Sequence, residues 1–443
     1  MSGMRKKVKK KFIVILSLTF LVLLLGGVIG YNIPISFGGS YPPLLPALPP
    51  DTLLTKEQVF EDREAAVRFV ENVHPYFILE EDLSAYQRAR QDYMDSTEKE
   101  MTAEDFKAAT AEYLCFFQDG HTCIWWEEQE YLSLNGVYQK GHTYVGKNGE
   151  ITDVYVTSIG GRDMEKVYQA IDRVIPAENE KAKEKNRDNY ATGRNILKLA
   201  GAEISGDSVL VTYSDGSEEE CMFREAEKSS GTEQERLQNT WIMDEDVFVI
   251  NFVECVDDDN LKSIAKELES AVKNGCGKVL MDVRGNGGGN SNACKRLLTA
   301  MGMEAPEYDM LVRFSKEAKE QAGYLRSRGS VQWKGSDKCK GNEDVELTLL
   351  CDRDTFSSAT MLLVWVRDGN LGKIVGEASS NAPNSYGDIL YLSLPNSHLD
   401  ASVSHKQFIR PDEKDNSRML IPDIETSSGE AYEKAMELFG DNT

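Results

Sequence analysis

The sequence has less positive than negative charge, little histidine and no close cysteine pairs, and each shortage removes a class of function. Lysine and arginine total 50 against 73 aspartates and glutamates, for a formal charge of −23. Six of the cations (Arg5, Lys6, Lys7, Lys9, Lys10 and Lys11) form one block, so the rest of the chain is more acidic still. A body of that charge argues against a nucleic-acid partner. There are 8 cysteines but no C-x-x-C, so the spacing offers no zinc site. The phosphate-loop string G-x-x-x-x-G-K-[ST] is absent. The S-x-x-K at Ser263–Lys266 lacks any K-T-G or S-D-N, and GNSNA (Gly289–Ala293) ends in Ala where G-x-S-x-G needs Gly. No metal, nucleotide or other cofactor is implied. With only 5 histidines, each candidate imidazole can be weighed singly.

The first feature that is present is a long apolar run. Phe12–Tyr31 carries no charge over roughly twenty residues, enough for a helix to span a bilayer. The basic block before it predicts an inside N-terminus, with everything after Tyr31 outside the cytoplasm. The expectation is a single-pass signal anchor in the cell membrane; a cleaved signal peptide is the alternative. Residues 1–31 then form tail and anchor, and 32–54 a Pro/Gly linker. Residues 55–130 read as helical, with Thr55 and Thr102 as caps, and end in DGHT (Asp119–Thr122). Residues 131–240 alternate short β-like runs with Gly turns, interrupted by the amphipathic RDMEKVYQAI. The run ENEKAKEKNRDNY within them reads as a charged helical stretch on the solvated surface. From 241 to 430 strands alternate with helices, which implies a mainly parallel sheet between helical layers, and 431–443 is a terminal helix or tail. The predicted class is α/β.

Two strings concentrate the chemistry. VLMDVRGNGGGN (Val279–Asn290) reads as a buried strand running into a Gly-rich turn. DRDTFSSATMLL (Asp352–Leu363) reads as a strand end followed by paired serines at the start of an apolar helix. A serine at a helix N-terminus beside free backbone N–H groups has the geometry of a nucleophile facing an oxyanion hole. A serine hydroxyl still needs a base, and an imidazole near neutrality suits that role.

In order along the chain, DVRGNGGG, TFSSA, Gly376–Glu377, LPNS and IPD resemble the serine peptidase family of the tail-specific, C-terminal processing proteases and the tricorn core protease. The likeness spans roughly 240–430 and reaches back to DGHT. It implies a ββα core of the crotonase and Clp-protease kind, a β-rich domain with a faint PDZ likeness and an acyl-enzyme mechanism on a protein or peptide substrate. It implies Ser357 as nucleophile, with Ser358 as the alternative, and an oxyanion hole from Gly287, Gly288 and Ser358. Tail-specific members use a Lys near the position of Ala382, where this chain has none. The tricorn-like branch uses a His from an earlier segment, and His121 in DGHT resembles it, with His405 as the alternative. The family's orienting Glu falls nearest Asn416, so Asp415 or Glu413 is expected there, and Asp119 could also serve. A rival expectation is the same fold with a broken site, acting as a peptide-binding or envelope-assembly module.

Overall fold

The structure is a computed structural model that describes residues 34–147, 150–226 and 238–440. Strands Val247–Asn251, Lys278–Asp282, Glu346–Cys351, Lys373–Gly376 and Ile424–Glu425 pair in parallel in that spatial order, and Thr240–Asp244 adds an antiparallel edge. Parallel sheets need cover on both faces, so their strands are apolar throughout. Phe248 and Ile250 face a cluster built with helices Asp259–Lys273, Ser291–Ala300 and Ser358–Asp368. Val247 and Val249 face the other way, onto Ala431, Ala435 and Phe439 of helix Ala431–Gly440. The carboxyl ends of Lys278–Asp282, Glu346–Cys351 and Lys373–Gly376 lie side by side, so the glycine turn, the serine pair and Gly376–Glu377 all emerge at one edge. Open α/β sheets place ligands at that edge.

A second cluster joins the N-terminal helices to two antiparallel sheets. Helix Lys56–Val73 starts on a Thr55–Gln58 capping box, and Ala103–Cys115 starts on Thr102, whose hydroxyl accepts from the Asp105 amide. A seven-stranded sheet built from segments between Glu130 and Glu225 packs with helix Met164–Val174. A four-stranded sheet runs Gly329–Trp333, Asp309–Phe314, Asp400–Ile409 and Ser385–Ser393. Asp400–Ile409 passes directly beneath DGHT. Cys123 bridges Ser402, whose hydroxyl donates to the His121 carbonyl, and the Ser404 amide donates to Thr122 Oγ1.

Two expectations are corrected here. Among the described residues no helix is long and apolar enough to cross a membrane, so the single transmembrane helix and the single-pass cell-membrane placement are withdrawn. The apolar run Phe12–Tyr31 that prompted them lies outside the described residues. The charged run read as solvated surface is helix Glu180–Tyr190, which buries Ala182 and Asn186 and ties to the serine turn through Lys185–Asp354 at 3.0 Å.

Candidate active site

The turn after strand Glu346–Cys351 is fastened to the glycine turn. One Asp352 carboxylate oxygen accepts the amides of Gly285, Asp354 and Thr355, while Thr355 Oγ1 donates to the Val283 carbonyl at 2.9 Å. The Phe356 amide donates to the Asn286 carbonyl. Held on both sides, Ser357 sits at φ +53° and ψ −124° as the cap residue of helix Ser358–Asp368. This is a sparsely populated conformation for a residue with a Cβ, and such strain persists only where the surroundings enforce it. Ser357 makes no capping bond to the helix, which leaves its hydroxyl available.

That hydroxyl meets His121. Ser357 Oγ and His121 Nε2 lie 3.1 Å apart across 236 positions of sequence. The imidazole also lies against Phe356, with ring centroids 4.8 Å apart. Ser358 is buried and differently engaged, its hydroxyl donating to the Gly289 carbonyl at 2.7 Å. Gly288 has φ +100°. Its amide donates to Asn286 Oδ1 at 2.9 Å. The Ser358 amide opens a helix and so has no intrahelical acceptor. Neither it nor the Gly287 amide meets an acceptor among the described residues.

The side chain behind His121 is Asp119, fully buried. Its Oδ1 accepts the His121 amide at 2.9 Å. Its Oδ2 accepts Thr122 Oγ1 at 2.6 Å and Ser404 Oγ at 2.7 Å, with His74 Nε2 at 3.4 Å. His121 Nδ1 is buried without a hydrogen-bond partner and stands 3.7 Å from Asp119 Oδ1, a charge contact rather than a hydrogen bond. Burial disfavours a protonated His121, but Asp119, with Glu178 and Asp388 beyond it, outweighs burial and raises the imidazole above its usual pKa. Burial alone would raise Asp119, yet His121 and His74 hold its carboxyl well below the ordinary range. His74 itself is lowered, by burial above all.

Glu178, just before helix Glu180–Tyr190, completes the cluster and was not legible as a site residue in the sequence. Asp119, His121 and Glu178 each bring a potential ligand atom within 4.8 Å of the others. The spacing would suit a cation, but the carboxylate oxygens are committed to protein donors. Glu178 Oε1 accepts the Gly120 amide at 3.0 Å, and Oε2 accepts Asn381 Nδ2 at 2.7 Å and the Ala382 amide at 2.8 Å. Ala382, near which the resemblance would have placed a lysine, thus serves as a backbone donor to Glu178. A cavity of about 360 Å³ adjoins the cluster, bounded by Gly120, Trp126, Lys185, Tyr190 and Phe356 among others.

The remaining expected residues lie elsewhere. Asp415, expected to orient the base, instead receives Arg410 Nη1 at 2.6 Å and the Ser417 amide at 2.9 Å. Glu413 pairs with Lys334. His405 Nε2 meets Tyr324 Oη at 2.9 Å, away from either serine's partners.

Residues 247–437 match the family model of Peptidase family S41. No curated protein sequence matches the chain. Among solved structures, mature CPAF is 11% identical, with 87% of this chain and 96% of that chain covered and a TM-score of 0.55. Mature CPAF complexed with lactacystin is 12% identical, with 87% and 98% covered and a TM-score of 0.55. At such identity the likeness is one of fold. The photosystem II D1 C-terminal processing protease is 13% identical over 84% of this chain and 93% of that one, with a TM-score of 0.41.

Proposed function

We propose that this chain, whose residues 247–437 match the model of Peptidase family S41, is a serine peptidase that hydrolyses peptide bonds with Ser357 as nucleophile and His121 as general base. The observation that carries this reading is the 3.1 Å contact between His121 Nε2 and a strained, uncapped Ser357 hydroxyl. For Nε2 to accept, the neutral ring carries its proton on Nδ1, the nitrogen that faces Asp119. Ser357 Oγ attacks the scissile carbonyl carbon as its proton passes to Nε2. The oxygen gains the negative charge and is met by the amides of Gly287 and Ser358, while Gly288 provides the close backbone approach. The imidazolium, stabilised by Asp119, then protonates the leaving amine. Water attacks the resulting ester with His121 again as base, releasing the acid and restoring Ser357.

The test is a fluorophosphonate probe applied to the full chain, followed by peptide mapping, beside Ser357→Ala and His121→Ala. An adduct on Ser357 that is lost in both variants supports the assignment. An adduct that survives His121→Ala places the base elsewhere. A folded wild-type chain that takes up no probe favours a non-catalytic peptide-binding role for the same fold.

A further inference from the structure

Glu178 and Asn381 stand 203 positions apart in sequence, and together they connect both halves of the site. Asn381 Oδ1 accepts the Ser357 amide at 2.8 Å, and Asn381 Nδ2 donates to Glu178 Oε2 at 2.7 Å. Glu178 Oε1 accepts the amide of Gly120, the residue before His121. Both side chains are buried, Glu178 at 4% and Asn381 at 2% exposure. An unbroken hydrogen-bonded path thus runs from the backbone beside the imidazole to the backbone of the nucleophile. Burial and the nearby Asp119 raise the Glu178 carboxyl above its ordinary pKa, but the donors that reach its carboxylate are all N–H groups, an arrangement that matches an ionised carboxylate, which only accepts.

We propose that Glu178 and Asn381 form a positioning pair that sets the His121–Ser357 distance and supplies a second buried negative charge to the imidazole. The pair performs three tasks. It holds the Ser357 amide, which stabilises the φ +53° conformation and withdraws that N–H from the oxyanion donors, leaving Gly287 and Ser358. It ties the DGHT loop to the serine turn, although these two segments are rooted in different hydrophobic clusters. It also compensates for the arrangement behind His121, where Asp119 lies 3.7 Å from Nδ1 and Nδ1 has no hydrogen-bond partner. The inference rests on the Ser357–His121 reading.

The charged and titratable groups around His121 come from every element packed on it. Asp119 stands on its own loop, Glu178 before helix Glu180–Tyr190, and Asp388 on strand Ser385–Ser393. Lys406 and His405 on the neighbouring strand face Asp388. His74 faces Asp119, and Arg313 acts on His74.

The experiment measures the rate of fluorophosphonate labelling of the full chain against pH, with folding followed by circular dichroism. Glu178→Gln removes the charge and turns an amide toward N–H donors. It should label at least about tenfold more slowly, with the acid limb of its profile moved to lower pH. Combining it with Asn381→Asp restores the path, since the introduced amide would donate to an aspartate that still accepts the Ser357 amide, and should recover most of the rate. Asn381→Ser removes both the Ser357 acceptor and the Nδ2 donor to Glu178 but leaves the Glu178 charge in place. It should slow labelling by at least about tenfold with the acid limb unmoved, and it carries the test if Glu178→Gln does not fold. A purely structural pair would lower thermal stability without moving the limb. The proposal is overturned if folded Glu178→Gln labels at the wild-type rate with an unshifted limb, or if the double variant recovers nothing. Failure of the wild-type chain to label would instead remove the underlying Ser357–His121 reading.

Discussion

Gly288 and Ser357 approach so closely that a Cβ on residue 288 would stand 2.6 Å from the Ser357 Cβ. It would also meet the Phe356 carbonyl oxygen and the Ser358 nitrogen at 2.9 Å each. The φ of +100° adds a conformation that side chains rarely adopt. Gly288→Ala should therefore displace the serine turn as well as strain its own backbone. We expect a stability loss of about 2–3 kcal/mol in denaturant unfolding, with labelling of Ser357 reduced far more than stability alone would cause. Retention of wild-type labelling would show that the turn can yield without disturbing the hydroxyl.

The two adjacent serines should separate cleanly. Ser358→Ala loses one hydrogen bond, to the Gly289 carbonyl, and should cost about 1 kcal/mol of stability while a fluorophosphonate still reaches residue 357. Ser357→Ala loses no capping bond but does lose the hydrogen bond to His121, so it should cost no more than about 1 kcal/mol of stability, and it should take up no probe. Mass mapping of both variants checks the pair.

The pH profile should carry the sign of the charges behind His121. A base works when neutral, so labelling should rise with pH through the His121 pKa. Asp119, Glu178 and Asp388 place that pKa above the ordinary histidine value of 6.5. The acid limb should accordingly lie above 6.5, and Asp119→Asn should move it down and reduce the rate on the order of 100-fold. A limb below 6.5 in the wild-type chain would contradict the electrostatic account.

His405 makes an opposite demand on the fold. Burial, with Lys406 beside it, lowers its pKa from 6.5 to about 4. Below 6.5 the unfolded chain binds a proton that the folded chain refuses. This group's share of stability is thus complete above 6.5 and is lost as pH falls toward 4, up to about 3 kcal/mol. His74, also lowered, adds to the same acid loss, whereas the raised His121 contributes stability that fades as pH climbs through its pKa. Chemical denaturation at pH 7 and pH 4.5 should show a smaller difference for His405→Gln than for the parent.

The parts of the site written in compact strings were readable in advance. DGHT and TFSSA each combine a turn, a polar side chain and an adjoining helix, but it was the family resemblance that singled out His121 and Ser357 as expectations, and the βαβ alternation announces the parallel sheet that aligns their neighbourhood. Asp415 was inferred by counting back from IPD, a register that says nothing about which cation the side chain will meet; Arg410 lies five residues earlier and takes it. Glu178 and Asn381 had no local signal. One stands just before a heavily charged helix, the other in a serine- and asparagine-rich loop, and their pairing across 203 positions exists only in the folded chain. The membrane expectation failed for a different reason, because it rested wholly on an apolar run outside the described residues.

The hydroxyl and the imidazole are anchored in separate hydrophobic clusters, which gives the enzyme the logic of a two-key lock. During synthesis His121 is made 236 residues before Ser357. On the proposed assignment the growing chain holds a base with nothing to activate, and the later half a hydroxyl that is inert without its partner. Hydrolysis would then need the two clusters packed together, and any event that parted them would disarm the molecule without altering a residue.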